Sequence, residues 1–131
     1  MTLRAMPLRL LPGDDLRAAV VAALQASGCD AAFVLQGIGS LSVAQLRYAD
    51  QTEPTALQGN FEILTLAGSI SPDGAHLHMS ISDDDGRVLG GHVGPGCIIR
   101  TTAELLIALL PDQHFSRRFD PRTGYLELQL A

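Results

Sequence analysis

The chain has 131 residues and a mass of 13.9 kDa, which is room for one hydrophobic core and therefore for a single domain over residues 1–131. Apolar residues make up 47% and charged residues 18%, a balance that excludes intrinsic disorder. Fourteen acidic residues against nine basic ones, all arginine, give a net charge of −5 that repels polyanions and argues against a free-standing electrostatic nucleic-acid binder.

Tryptophan is absent and only Phe33, Tyr48, Phe61, Phe115, Phe119 and Tyr125 are aromatic, too few for a base-stacking platform. No apolar run approaches the ~20 residues that span a bilayer. Pro7, Arg9 and Pro12 interrupt the first apolar residues, so no signal peptide is expected. Cys29 and Cys97 are too few for a disulfide framework. Together these features predict a soluble protein of a reducing cytoplasm without membrane association.

In chain order, Met6 to Leu11 reads as a short strand ended by the turn pair Pro12-Gly13. A helix follows, with Asp14 as its N-cap, Leu16, Ala19, Val20, Ala23 and Leu24 at three- and four-residue spacing, and Gly28 at its left-handed end. Ala31 to Gln36 and Leu41 to Tyr48 read as two strands of a hairpin turning at Gly37-Ile38-Gly39-Ser40. Residues 50–59 are the longest expected loop. Phe61 to Gly68 and Ala75 to Ser82 follow as strands, the second alternating His76, His78, Ser80 and Ser82 against Leu77, Met79 and Ile81.

Asp83-Asp84-Asp85-Gly86 is a turn signal, Arg87 to Val93 returns as a strand, and Gly94-Pro95-Gly96 breaks the chain. Ile98 to Leu110 is ambiguous: its β-branched start favours a strand and Ala103-Glu104-Leu105-Leu106 suits a helix, with a long bent strand preferred. A polar segment bearing Arg117, Arg118 and Arg122 precedes a closing strand from Tyr125 to Leu130. One early helix with many hairpin-linked strands predicts an α+β fold, a largely antiparallel sheet packed against one main helix.

His76, His78 and His92 fall within one hairpin, whose register decides whether they meet. A four-residue loop from Asp83 to Gly86 places His92 opposite Leu77, on the wrong face. A three-residue loop, Asp84-Asp85-Gly86, with glycine at the position of positive φ, places His78 directly opposite His92 and puts all three imidazoles on one face; Gly86 favours this register. Three such rings can converge on one zinc ion at ~2.0–2.1 Å and leave a position open for water, a substrate carboxylate, or a fourth ligand such as Cys97, Glu62 or Glu104. The plainer alternative is an exposed polar sheet face or hydrogen-bonded core histidines. His114, in a polar loop, is read as a surface residue.

Other patterns carry less. Gly37-x-Gly39 lacks the third glycine and the helix of a dinucleotide loop. Asp83-Asp84-Asp85 lacks the ligand spacing of an EF-hand and reads as a solvated turn. Arg117, Arg118 and Arg122 could hold phosphate or simply be solvated. Glu62, within an apolar strand, is expected near the core, where a carboxylate needs a partner or a raised pKa, and it is the candidate acid or base.

Gly37-Ile38-Gly39-Ser40, Gly59-Asn60-Phe61-Glu62-Ile63-Leu64, Leu66-Ala67-Gly68-Ser69, His76-Leu77-His78 with Asp85-Gly86, and Gly90-Gly91-His92 together resemble the PPC (plants and prokaryotes conserved) domain family, from about Arg4 to Leu130. The resemblance implies a homotrimeric α+β domain. In plants this domain accompanies AT-hooks in nuclear proteins; the Arg-Gly-Arg-Pro core of a hook is not found here, so DNA as a partner rests on family analogy alone. The prokaryotic branch is similar to metal proteins whose ion is held by three histidines, and His76, His78 and His92 match those positions. Two functions follow as expectations: a metal-binding regulatory or DNA-associated module, or a metal-dependent lyase or hydrolase. No organic cofactor is expected.

Overall fold

A computed structural model describes residues 1–131. Eight strands and one helix follow in the order β1 (Arg4–Leu10), α1 (Leu16–Ser27), β2 (Ala32–Arg47), β3 (Thr55–Ser71), β4 (Gly74–Ser82), β5 (Val88–Val93), β6 (Ile98–Leu109), β7 (Phe115–Asp120) and β8 (Tyr125–Leu130). Six strands form one antiparallel sheet in the order β1-β6-β2-β3-β4-β5, and β7 and β8 form a separate hairpin. The predicted α+β class, with one helix on a largely antiparallel sheet, is what is observed.

The sheet does not stay open. Leu46 and Arg47 at the end of β2 pair with Val93 and His92 of β5, so β2, β3, β4 and β5 form a closed ring. Closure covers backbone groups at the ends of β2 and β5 that would otherwise be unpaired. The core contains Leu41, Leu46, Leu66, Ile70, Leu77, Ile81, Ile99 and Ile107, all fully buried, with Leu16, Val20 and Leu24 on one face of α1 packed against it. With Ala19 and Ala23, partly buried beside them, they form the three- and four-residue amphipathic stripe seen in the sequence.

The helix begins one residue later than predicted. Asp15 is the N-cap, its Oδ1 accepting from the Ala18 N–H at 3.1 Å, and its Oδ2 accepts from the Gly96 N–H at 2.7 Å. One carboxylate thus satisfies a free helix donor and anchors the 94–96 turn. Asp14 instead accepts from the Leu11 N–H and stabilises the preceding turn. Gly28 ends the helix at φ 74° as expected.

Three further expectations are corrected. Residues 31–48 are not a hairpin, because β2 runs unbroken through Gly37 and Gly39. Gly39 permits close packing rather than a turn: a Cβ there would lie 2.5 Å from the Thr102 carbonyl oxygen of β6. The loop before β3 occupies only residues 48–54, since Gln58 and Gly59 pair within the sheet or lie in the strand. The polar segment 115–120 is strand β7, bonded along its length to β8. By contrast, residues 98–109 form the long strand preferred over a helix.

Gly68 makes the tightest approach in the sheet. A Cβ built on it would overlap the His76 carbonyl oxygen across the β3–β4 pair. Gly68→Ala is expected to cost more than about 2 kcal/mol in urea denaturation, because backbone and not a flexible side chain must give way. Gly86→Ala, at φ 79° with nothing within 4 Å, is expected to cost only the left-handed penalty of about 1–2 kcal/mol. Equal unfolding midpoints for Gly68→Ala and the unsubstituted protein would contradict this packing.

Candidate metal centre

The site is built on the β4–β5 hairpin. In β4, Leu77, Met79 and Ile81 are buried in the core, which obliges His76 and His78 to project from the opposite face. The connecting turn adopts the three-residue register: the Asp83 N–H donates to the Arg87 carbonyl at 2.9 Å and the Gly86 N–H to the Asp83 carbonyl at 3.1 Å. The Asp83 carboxylate Oδ1 also accepts from the N–H groups of Asp85 and Arg87, both at 2.9 Å. This register sets His78 directly opposite His92.

All three imidazoles therefore share a face. The His76 and His78 Nε2 atoms are 3.2 Å apart, and one ring nitrogen from each of the three residues lies within 4.8 Å of the others. The His78 and His92 ring centroids are 4.4 Å apart with nearly perpendicular planes, and His76 stacks on His92 at 5.4 Å. Nitrogens bound tetrahedrally to one zinc ion stand about 3.3 Å apart, so the observed spacing fits an open three-nitrogen site with small ring movements.

The electrostatics suit neutral ligands. The pKa of His76 is lowered below the ordinary imidazole value, chiefly by partial burial at the cleft wall although the residue remains exposed overall. Arg117, His78 and His92 lower it further, and Glu127 acts in the opposite sense. His92 is lowered by burial first, then by Arg47 and His78. A neutral imidazole keeps the lone pair that a metal takes.

None of the proposed fourth ligands joins the cluster. Cys97 is buried in the core, where its sulfur accepts from the Gln45 N–H at 3.2 Å, and burial raises its pKa. Glu62 is exposed rather than near the core, and it lies opposite Ser82, four residues along β4 from His78 or about 13 Å away. It lines a separate cleft with Ser40, Thr101 and Glu104. Within one chain Glu62 is thus not beside the histidines. His114 is exposed and bonds Asp30 at 2.9 Å, consistent with its reading as a surface residue.

His76 and His92, but not His78, border an open cleft of about 930 Å³ that no sequence motif announces. His76 and His92 form one wall, and α1, the end of β2 and the β7–β8 hairpin bring Arg17, Arg47, Arg117 and Glu127 to the others. Of the three C-terminal arginines, only Arg117 lines this cleft; Arg122 is paired with Asp120 at 2.8 Å. Arg47 is the one residue whose proximity has a simple pairing cause, since it lies directly opposite His92.

The chain is 51% identical over 129 residues to the bifunctional protein GlmU of Synechococcus sp. strain JA-3-3Ab, covering 98% of this chain and 21% of that one. It thus spans about a fifth of the length of the curated relatives it first matches. Among solved structures, a hypothetical protein from Salmonella has 43% identity and a TM-score of 0.95, covering 99% of this chain and 94% of that one. A protein from Archaeoglobus fulgidus described as metal-containing has 29% identity and a TM-score of 0.82, covering 96% and 93% respectively. Residues 1–111 match the family model described as the Plants and Prokaryotes Conserved domain, and the chain belongs to that family.

Proposed function

We propose that His76, His78 and His92 hold one divalent metal ion, zinc by the chemistry of three nitrogen donors, and that the domain is a metal-bearing binding or regulatory module. The observation that carries this reading is the convergence of three imidazoles on one face of the β4–β5 hairpin, with no carboxylate taking their nitrogens as hydrogen-bond partners. The metal-containing description of the Archaeoglobus fulgidus neighbour supports it. The GlmU relatives, in which the equivalent of this chain is a fifth of a longer polypeptide, support a module that works joined to another domain or beside a partner.

Protein purified without a polyhistidine tag is expected to carry about one zinc per chain by elemental analysis. His78→Ala should abolish it, and Cys97→Ala and Glu62→Gln should leave it unchanged. Full metal retention by His78→Ala would remove the site.

The module reading includes a homotrimer. Phe119, Leu126 and Leu130 share one face of the β7–β8 hairpin and are each more than 60% exposed, an apolar surface of the kind that a second copy covers. Light scattering should then give three times the 13.9 kDa chain mass, whereas a monomer mass would reject this part of the reading.

A metal-dependent lyase or hydrolase is the second reading, and the open cleft beside His76 and His92 favours it. Glu127, which faces that cleft, replaces Glu62 as its acid or base. DNA binding, carried over from the plant relatives, is opposed by the charge of −5. No mobility shift of duplex DNA is expected even at low salt, and a salt-sensitive shift would restore DNA as a partner.

A further inference from the structure

The cleft contains three half-buried arginines on three different elements: Arg17 on α1, Arg47 on β2 and Arg117 on β7. Each is held by neutral groups. Arg17 donates to the Ala75 carbonyl at 3.1 Å, Arg47 to the Gln51 carbonyl at 3.1 Å, and Arg117 to the Ser69 hydroxyl at 2.7 Å.

None of the three forms an ion pair, the only ion pairs in the chain being His114–Asp30 and Arg122–Asp120. Partly desolvated guanidinium groups with no carboxylate in direct contact keep donors for an incoming anion, and their planar geometry suits the paired oxygens of a carboxylate or phosphate. An uncharged acceptor on one guanidinium N–H of each arginine holds the head group in place, which lowers the ordering cost of such binding while the other N–H donors stay free of protein partners.

The same cleft also carries Asp50, Asp73 and Glu127. Asp73 accepts from the Arg117 backbone N–H at 2.8 Å and Glu127 from the Thr123 hydroxyl at 3.1 Å, and none of the three carboxylates lies within ion-pair distance of a cleft arginine. A ligand that was anionic throughout would be repelled on that side. One that also offers hydroxyl donors would satisfy both the arginines and the carboxylates.

We propose that this cleft binds a small hydroxylated anion, an acid or phosphate ester that places its charged group among Arg17, Arg47 and Arg117 and turns its hydroxyl groups toward Glu127 and Asp73. The proposal stands on the arginines and goes beyond the metal reading, with which it shares the wall formed by His76 and His92 and, for the lyase or hydrolase, Glu127.

Calorimetric titration with glycerate and with glycerol 3-phosphate, on zinc-loaded and on chelator-treated protein, tests it and distinguishes a carboxylate from a phosphate ligand. At least one probe is expected to bind in both preparations. Arg47→Gln and Arg117→Gln should each weaken it about tenfold or more, and Arg100→Gln, exposed on β6, should not. Arg47→Gln retains the Arg117 bond to Ser69, so it remains informative if Arg117→Gln fails to fold. Absence of binding by both probes up to about 10 mM, or unchanged affinity in Arg47→Gln, would overturn the anion site. Propionate binding as tightly as glycerate would overturn the role of the hydroxyl groups. Lack of zinc uptake with anion binding intact would defeat the metal reading and leave this one standing.

Discussion

The turn between β4 and β5 fixes the placement of the chemistry. A strand presents successive side chains to opposite faces, so a one-residue slip would move His92 away from His76 and His78. Two features prevent it: Gly86 adopts φ 79°, and the Asp83 carboxylate takes the N–H groups of both Asp85 and Arg87. The acidic run 83–85 thereby acquires a structural meaning that charge alone does not convey. Its first residue organises the turn, and the other two are exposed.

Ring closure extends the effect of this register. Because His92 pairs with Arg47 as well as with His78, β5 is held from both sides, and the imidazole cluster is locked to the end of β2. The buried face of β4, with Leu77, Met79 and Ile81 in the core, prevents the alternative in which the strand flips. Moving the histidines would therefore mean exposing three large apolar side chains, each contributing roughly 1.5–3 kcal/mol of burial. The site is held by the hydrophobic core even though two of its three histidines are exposed.

The legible parts of the sequence were those governed by local rules. The helix stripe, Gly28 as its end, the three-residue turn and hence the histidine register all depend on residues within a few positions of one another. Where distant packing decides, the local pattern misleads. Gly37 and Gly39 look like a turn because glycine permits one, yet Gly39 is needed for close contact with β6. Arg117 and Arg118 masked β7 because a strand in a separate two-stranded hairpin can be largely polar. Asp14 and Asp15 are locally equivalent as caps, and the distant Gly96 N–H helps to distinguish them. Glu62 illustrates the same limit: its neighbours Phe61 and Ile63 are buried, and simple alternation turns it outward.

Composition also concealed the cleft. A net charge of −5 describes the far field that a polyanion meets, and it bears little on a small ligand inside a cleft, because salt screens exposed charges beyond about 8–10 Å. What matters there is which charges are near and which are already paired. Arg17, Arg47 and Arg117 are separated by 30 and 70 positions in sequence and carry no shared motif, so only the folded chain brings them together. An acidic protein can in this way repel nucleic acid over its surface and still present a local site for a small anion. The two properties are compatible because they operate over different distances.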